Sequence, residues 1–406
     1  MKKKSVISFL LAAVMAFSML LSGCFDSNAA KKSADVFCSL VFKSESENLD
    51  KFGITESKKD ELLDMYHDQI KKQLQDNVSM WGGYISQTQL NDITDAYLET
   101  LSKVTFETKQ ISKSGDSAEV EISTTHFDVR KTDEQAMMAA LDEVENMKFS
   151  SDYEELSKLM EVYLNNISDK IRNAEISSDK STNTYKFKKV DKNWMPEDEE
   201  NFGYMLAMQA TNNDNLNLSI DETRITPEES AEIFWKLSAK ADTSGFEELG
   251  YSKEFGDRLI SYVNKKLVKQ MQDEFVGTGA ELSDEEVQKM ITALMNGLGK
   301  NDAQFEEVSK DGDTAKVKVT STVIDINSII ETVVNKTTND AIAAGTTDVQ
   351  QIMQAYCTNF VNEMNNIQPI SKSSNYRTFE FTKIADIWVP SNIEEFSEDI
   401  STMCIQ

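Results

Sequence analysis

Histidine is almost missing from this chain. His67 and His126 are the only two in 406 residues. They fall in different expected elements, which argues against a histidine-rich metal centre. Proline (4) and glycine (15) are scarce as well, which favours long helices and few loops. No glycine-rich phosphate loop and no Gly-x-Ser-x-Gly elbow is present. Positive charge is in deficit, with 42 Lys and Arg against 69 Asp and Glu, a net charge of -27. The first 23 residues carry three lysines and no acid, so the charge without them is -30. Such a chain repels nucleic acid and anionic head groups, because phosphate binding needs a basic stripe. Aromatic residues make up 9% but are not interleaved with a basic patch, so no nucleic-acid partner is expected. The acidity serves solubility, the alternative being an acidic site for metal ions or basic partners. What remains is a globular composition, 40% hydrophobic and 27% charged, with a length suited to two domains of roughly 150–200 residues.

Long apolar runs are also lacking, with one exception. Lys2, Lys3 and Lys4 precede an apolar run from Val6 to Leu21, which ends at Leu21-Ser22-Gly23-Cys24. Asp26, Ser27 and Asn28 follow at once. The run is too short to span a membrane, and its flanks are those of a signal peptide. The four residues Leu-Ser-Gly-Cys resemble the bacterial lipobox. That resemblance implies cleavage before Cys24, diacylglyceryl transfer to the Cys24 thiol, and an anchor of two or three acyl chains. Residues 1–23 are then the signal peptide, and residues 24–32 a lipidated tether, polar from Ser27 to Lys32. The lysine-rich leader and body suggest a low-GC Gram-positive source. The other cysteines are Cys38, Cys357 and Cys404. Three is odd, so at most one disulfide forms beside a free thiol. Buried thiols are the simplest reading. A Cys38 link to Cys357 or Cys404 stays open.

The stretch Gly115-Asp116-Ser117-Ala118-Glu119-Val120-Glu121-Ile122 alternates as a half-buried strand does, with Gly115 and Asp116 as its entering turn. It returns as Gly312-Asp313-Thr314-Ala315-Lys316-Val317-Lys318-Val319, 197 residues later. The chain is therefore two copies of one domain, expected at 33–208 and 227–406, with an Asn-rich linker at 209–226. Ser33 and Ser230 match near helix starts, Cys38 aligns with Trp235, and Gly53 with Gly250. A long helix is expected over 57–78 and a third over 87–103, which matches 283–297 less tightly. Strands follow at 104–111 and 118–129. A helical region over 133–173 breaks near 150–152, and its counterpart over 328–366 breaks near 345–347. These helices, lying between strands, are expected to cover one face of the sheet. Trp194-Met195-Pro196 with Phe202 closes the first copy, and Trp388-Val389-Pro390 with Phe396 closes the second, at an offset of 194.

This order of helices, two strands, a helical insertion and strands ending in Trp-x-Pro resembles the cystatin-like, or nuclear-transport-factor-like, cone. Tandem copies behind a lipobox are similar to uncharacterised lipoproteins of low-GC Gram-positive bacteria. The resemblance implies an α+β fold, two tandem helix-rich domains each with a curved antiparallel sheet. The large helical insertion departs from the compact cone, so inserted helices could fill or cap its pocket. The family implies no agreed activity.

Few residues suggest chemistry. Asp128 and Asp325 recur in both copies, either lining a cone mouth or capping the following helix. His126 and Asp128 would share a strand face and could form a general-base pair, but the second copy has Val323 at the histidine position. Asn212-Asn213-Asp214-Asn215 has calcium-loop residue types without the glycine and terminal glutamate. Glu119 and Glu121 become Lys316 and Lys318, so the copies could dock through opposite charges or stay independently solvated. The expected protein is a non-enzymatic lipoprotein on the extracellular face of the cell membrane, without cofactor or metal. Its partner would be an envelope protein, a peptide or a wall component. A small-ligand or peptide receptor using the cone pocket is the alternative, and an enzyme using Asp128 or Asp325 the third reading.

Overall fold

A computed structural model of the chain describes residues 28–45, 49, 55–80, 85–191, 193–211, 223–275, 280–384 and 387–405. The signal peptide, Cys24, and the run Asn212 to Asn215 lie outside them.

Ten elements occur twice in one order. The first set is α1 (Ala29–Lys43), α2 (Glu56–Met80), α3 (Gln87–Leu101), β1 (Phe106–Ser114), β2 (Ser117–His126), α4 (Val129–Val144), α5 (Asp152–Arg172), β3 (Ser177–Val190), β4 (Asn193–Pro196) and α6 (Glu199–Ala210). The second is α7 (Pro227–Lys240), α8 (Lys253–Phe275), α9 (Asp284–Leu298), β5 (Ala303–Asp311), β6 (Thr314–Val323), α10 (Ile326–Ala344), α11 (Val349–Asn366), β7 (Ile370–Ile384), β8 (Ile387–Pro390) and α12 (Ile393–Met403). The fold is α+β with two antiparallel four-stranded sheets, ordered β1-β2-β3-β4 and β5-β6-β7-β8.

By contact the chain divides into two compact units. One comprises Met1–Gln69, Leu98–Phe127 and Glu175–Asn213, and the other Ile70–Tyr97, Asp128–Ala174 and Asp214–Gln406. The division does not follow the repeat: α4 and α5 of the first copy belong to the unit that holds the second sheet.

In the first unit, β1 and β2 meet at a two-residue loop where Gly115 takes φ +60°. Glycine adopts that left-handed backbone at little steric cost. Along β2 the side chains of Ala118, Val120, Ile122 and Thr124 are buried. A bulge between Gln110 and Ser112 leaves Ile111 unpaired and exposed. Helices α1 and α6 pack on the sheet. The Ser33 hydroxyl, inside α1, donates to the Trp194 carbonyl of β4. Residues expected as tether thus begin the helix, because Ala30 and Ala34 are fully buried.

The second sheet repeats these devices inside the other unit. Gly312 turns at φ +55°, Val308 fills the same bulge between Glu307 and Ser309, and Ser230 donates to the Trp388 carbonyl. Helices α7 and α12 lie on the sheet. The inserted helices therefore do not cover the sheets as expected. In the second copy α10 and α11 pack with each other, and α11 packs with α9, around Val333, Met364 and Val287. In the first copy α4 and α5 pack together, with Ile93 of α3 against Ala136, Leu164 and Ile167. The buried apolar residues of these helices face neighbouring helices, and α1, α6, α7 and α12 already occupy the sheet faces.

Candidate functional site

The inner face of each sheet is where a cone pocket would lie. In the first unit that space holds a cluster of rings. Phe202 of α6 sits 6.0 Å from Phe37, 5.2 Å from Tyr185 and 5.7 Å from Phe187, centroid to centroid, all edge-to-face. Such contacts add about 0.5–1.5 kcal/mol each beyond burial. The second sheet rebuilds the cluster around Phe396, with Phe234 at 6.4 Å, Phe379 at 4.6 Å and Phe381 at 5.9 Å. Lys113 lies over the Trp194 ring at 5.3 Å, and Lys310 over Trp388 at 5.1 Å. The rings that fill the space come from the first and last helices of each copy and the third strand, not from the insertion.

One polar group enters the first cluster. The Tyr185 hydroxyl donates to Gln209 Oε1 at 2.7 Å. Gln209 Nε2 donates to the carbonyls of Ile122 (2.8 Å) and Ser181 (2.7 Å). The glutamine is fully buried, and burial pushes the Tyr185 hydroxyl pKa far above its usual value. Sequence reading placed Gln209 in the linker, although α6 runs to Ala210. The signal available was the helical continuation of Tyr204-Met205-Leu206-Ala207-Met208.

Asp128 caps α4, accepting from the Lys131 amide at 2.9 Å, and Asp325 caps α10, accepting from the Ser328 amide at 2.9 Å. Satisfying orphan donors at a helix start accounts for both aspartates in both copies. Strand β2 ends at His126, so Asp128 lies beyond it and the two share no strand face. Among the described residues no group of three or more His, Cys, Asp or Glu side chains could hold a metal ion. Cys38, Cys357 and Cys404 are free and buried. Burial pushes all three thiols up, Cys357 to about 11, which leaves them protonated and unreactive.

The charge reversal on the central strands is compensated within each sheet. Lys109 pairs with Glu121 at 3.8 Å, and at the matching positions Glu306 pairs with Lys318 at 3.7 Å. Glu119 faces Lys186 across the strands, where Lys316 faces Glu380. The opposite charges need no second copy to be paired.

Strong cross-copy contact occurs elsewhere, within the second unit. Met137 and Leu141 of α4 join the hydrophobic cluster that also holds Leu249 and Phe255 of the second copy. Arg130 donates to the Leu249 carbonyl at 2.6 Å, and a Cβ on Gly250 (φ +84°) would strike that guanidinium. Glu134 accepts from the Ser252 amide and hydroxyl, both at 2.6 Å. Arg258 of α8 bridges Asp142 (2.8 Å) and Glu145 (3.1 Å), Lys265 reaches Glu145 (3.0 Å), and Lys266 reaches Glu155 (3.2 Å). At its edge the Tyr163 hydroxyl donates to Asp133. Desolvation, with Glu134 adding to it, lifts the Asp133 carboxyl to about 6 against the pull of Tyr163 and Arg130. The sequence gives no sign of these contacts, since all but the Tyr163–Asp133 bond join residues more than 100 positions apart.

Residues 29–207 match the family described as a domain of unknown function, DUF5105. Among curated proteins none matches the chain. A crystal structure described as a "putative lipoprotein (ycdA)" from Bacillus subtilis subsp. subtilis str. 168 aligns over 72% of this chain and 70% of its own, at 10% identity and a TM-score of 0.37. Among the described residues no helix is long and apolar enough to cross a membrane.

Proposed function

We propose that the protein is a lipid-anchored, non-catalytic interaction protein of the cell envelope, built from tandem cystatin-like domains and held at the extracellular face by Cys24. The observation that carries the anchor is Leu21-Ser22-Gly23-Cys24, following three lysines and a short apolar run. Two acyl chains hold a protein stably on a bilayer where one does not. The interaction role is supported by what occupies the candidate pockets. Aromatic rings pack the inner face of both sheets, and the recurring aspartates cap helices. A small-ligand receptor or an enzyme would need a concave site with convergent polar groups. Partners are an envelope protein, a peptide or a wall component, and tandem copies suit bivalent engagement.

The test is crosslinking in intact cells, comparing native protein with Cys24→Ala. A specific envelope partner captured by the anchored form alone is the expected result. Equal capture by both forms, or release of neither from the membrane fraction, would contradict the reading.

A further inference from the structure

The two copies expose one helical face differently. In the first copy the face of α4 that carries Met137 and Leu141 is covered by the second copy, α8 supplying the cations Arg258, Lys265 and Lys266 around it. The matching face of α10 presents Val334 and Thr338, with Ile342 one turn on. Here Val334 is 47% and Ile342 73% exposed, and neighbouring Ile330 and Val349 are 41% and 45% exposed. These four are among only eleven large apolar side chains exposed in the described residues.

Charge has also been withdrawn from this hairpin. Residues 326–366 contain five charged side chains in 41, whereas residues 129–172 contain sixteen in 44. The anions that α8 pairs with, Asp142, Glu145 and Glu155, are replaced by Asn339, Ile342 and Ile352. The cations of α8 would therefore find no counter-charge at these positions of α10, whose two carboxylates are Glu331 and Asp340. The matching helix of the first copy, α2, has Glu61 and Asp68 at the corresponding positions, and burying carboxylates there costs more than burying apolar groups. From Val334 to Ile342 the α10 face is apolar or neutral, with Glu331 one turn before it at the edge, so it is complementary to a surface of the same kind. In a chain of net charge -27 it is a place where a second chain can approach with little repulsion. Depletion of charge around an apolar centre is also the compositional mark of interface cores.

We propose that α10 is an isologous docking face, on which a second copy of this chain seats its own α10 antiparallel across Val334, Thr338 and Ile342. A two-fold axis near Thr338 brings each residue against a symmetry mate. The proposal deepens the interaction reading by naming the partner, and anchoring would favour it by confining copies to one surface.

The test uses the full mature chain carrying Cys24→Ser, so that no lipid drives association. Sedimentation velocity should show mass rising towards twice the monomer with concentration. Val334→Glu with Ile342→Glu should abolish the rise while leaving the unfolding transition in place, since both positions are exposed. Thr338→Cys should crosslink to itself, and Thr184→Cys, on the outer face of the first sheet, should not. A chain that stays monomeric at every concentration overturns the proposal, as does a dimer indifferent to the two glutamates. A monomer that binds neutral phosphatidylcholine vesicles through the same residues also overturns it, and assigns the face to lipid. None of these outcomes depends on lipidation, so failure of the anchor reading would be seen separately.

Discussion

Tyr185 and Gln209 in the first copy stand where the second copy has Phe379 and Met403. Around them the architecture is the same, down to the aromatic hub and the serine that ties the first helix to the Trp carbonyl. One copy fills the position with a satisfied hydrogen-bond network, the other with apolar side chains of similar volume. Both solutions leave no buried group of the pair unpaired, which is the condition that matters. The insertions teach the complementary lesson. The α4–α5 hairpin is highly charged and engaged with α8, whereas the α10–α11 hairpin is nearly uncharged and open. The two sets of elements share their aromatic cores and differ at their surfaces.

The largest effects should come from the shared part. Phe202→Ala and Phe396→Ala each remove the hub of a cluster, and each should cost about 3–5 kcal/mol in urea unfolding followed by tryptophan fluorescence. A loss under 1 kcal/mol in either would mean that the ring does not hold its sheet. Next comes the divergent pair. Gln209→Met alone strands the Tyr185 hydroxyl and two carbonyls and should cost about 2–3 kcal/mol. Adding Tyr185→Phe recreates the second copy's solution and should recover most of that loss. A double variant no better than the single would break the equivalence of the two interiors.

A smaller effect depends on pH. Asp133 sits at about 6 when folded, against 3.8 as its ordinary value. The folded state therefore holds the proton more tightly. Its penalty is fully present above pH 6 and fades as pH falls towards 4. Asp133→Asn keeps an acceptor for Tyr163 and should stabilise the chain at pH 8 by on the order of 1 kcal/mol, with the gain disappearing near pH 4. A gain independent of pH would assign the effect to packing. The smallest change concerns the sheets. Lys109→Glu places like charge opposite Glu121 and should cost about 0.5 kcal/mol, which Glu121→Lys in the same chain should return.

Local signals were legible in the sequence because their physics is local. The alternation of β2 and β6, the turn glycines Gly115 and Gly312, and the breaks filled by Ser151 and Asp348 as helix caps all lie within a few residues of their cause. The α+β class and the recurring order of elements followed from them. The first half of β3 was not legible, because Ser177 to Thr184 is polar and becomes strand only by pairing with β2. The role of Gln209 and the Arg130–Glu134 contacts depended on tertiary placement, which no periodicity encodes. The expectation that the insertion covers the sheet failed because period alone says a helix has an apolar face, not which surface receives it.

The most direct test of the account is the mass of the mature N-terminus purified from membranes. Cleavage before Cys24, with a diacylglyceryl adduct on that residue, is the predicted result. An unmodified N-terminus at any other residue would contradict it, and the protein would then be secreted free rather than held at the membrane.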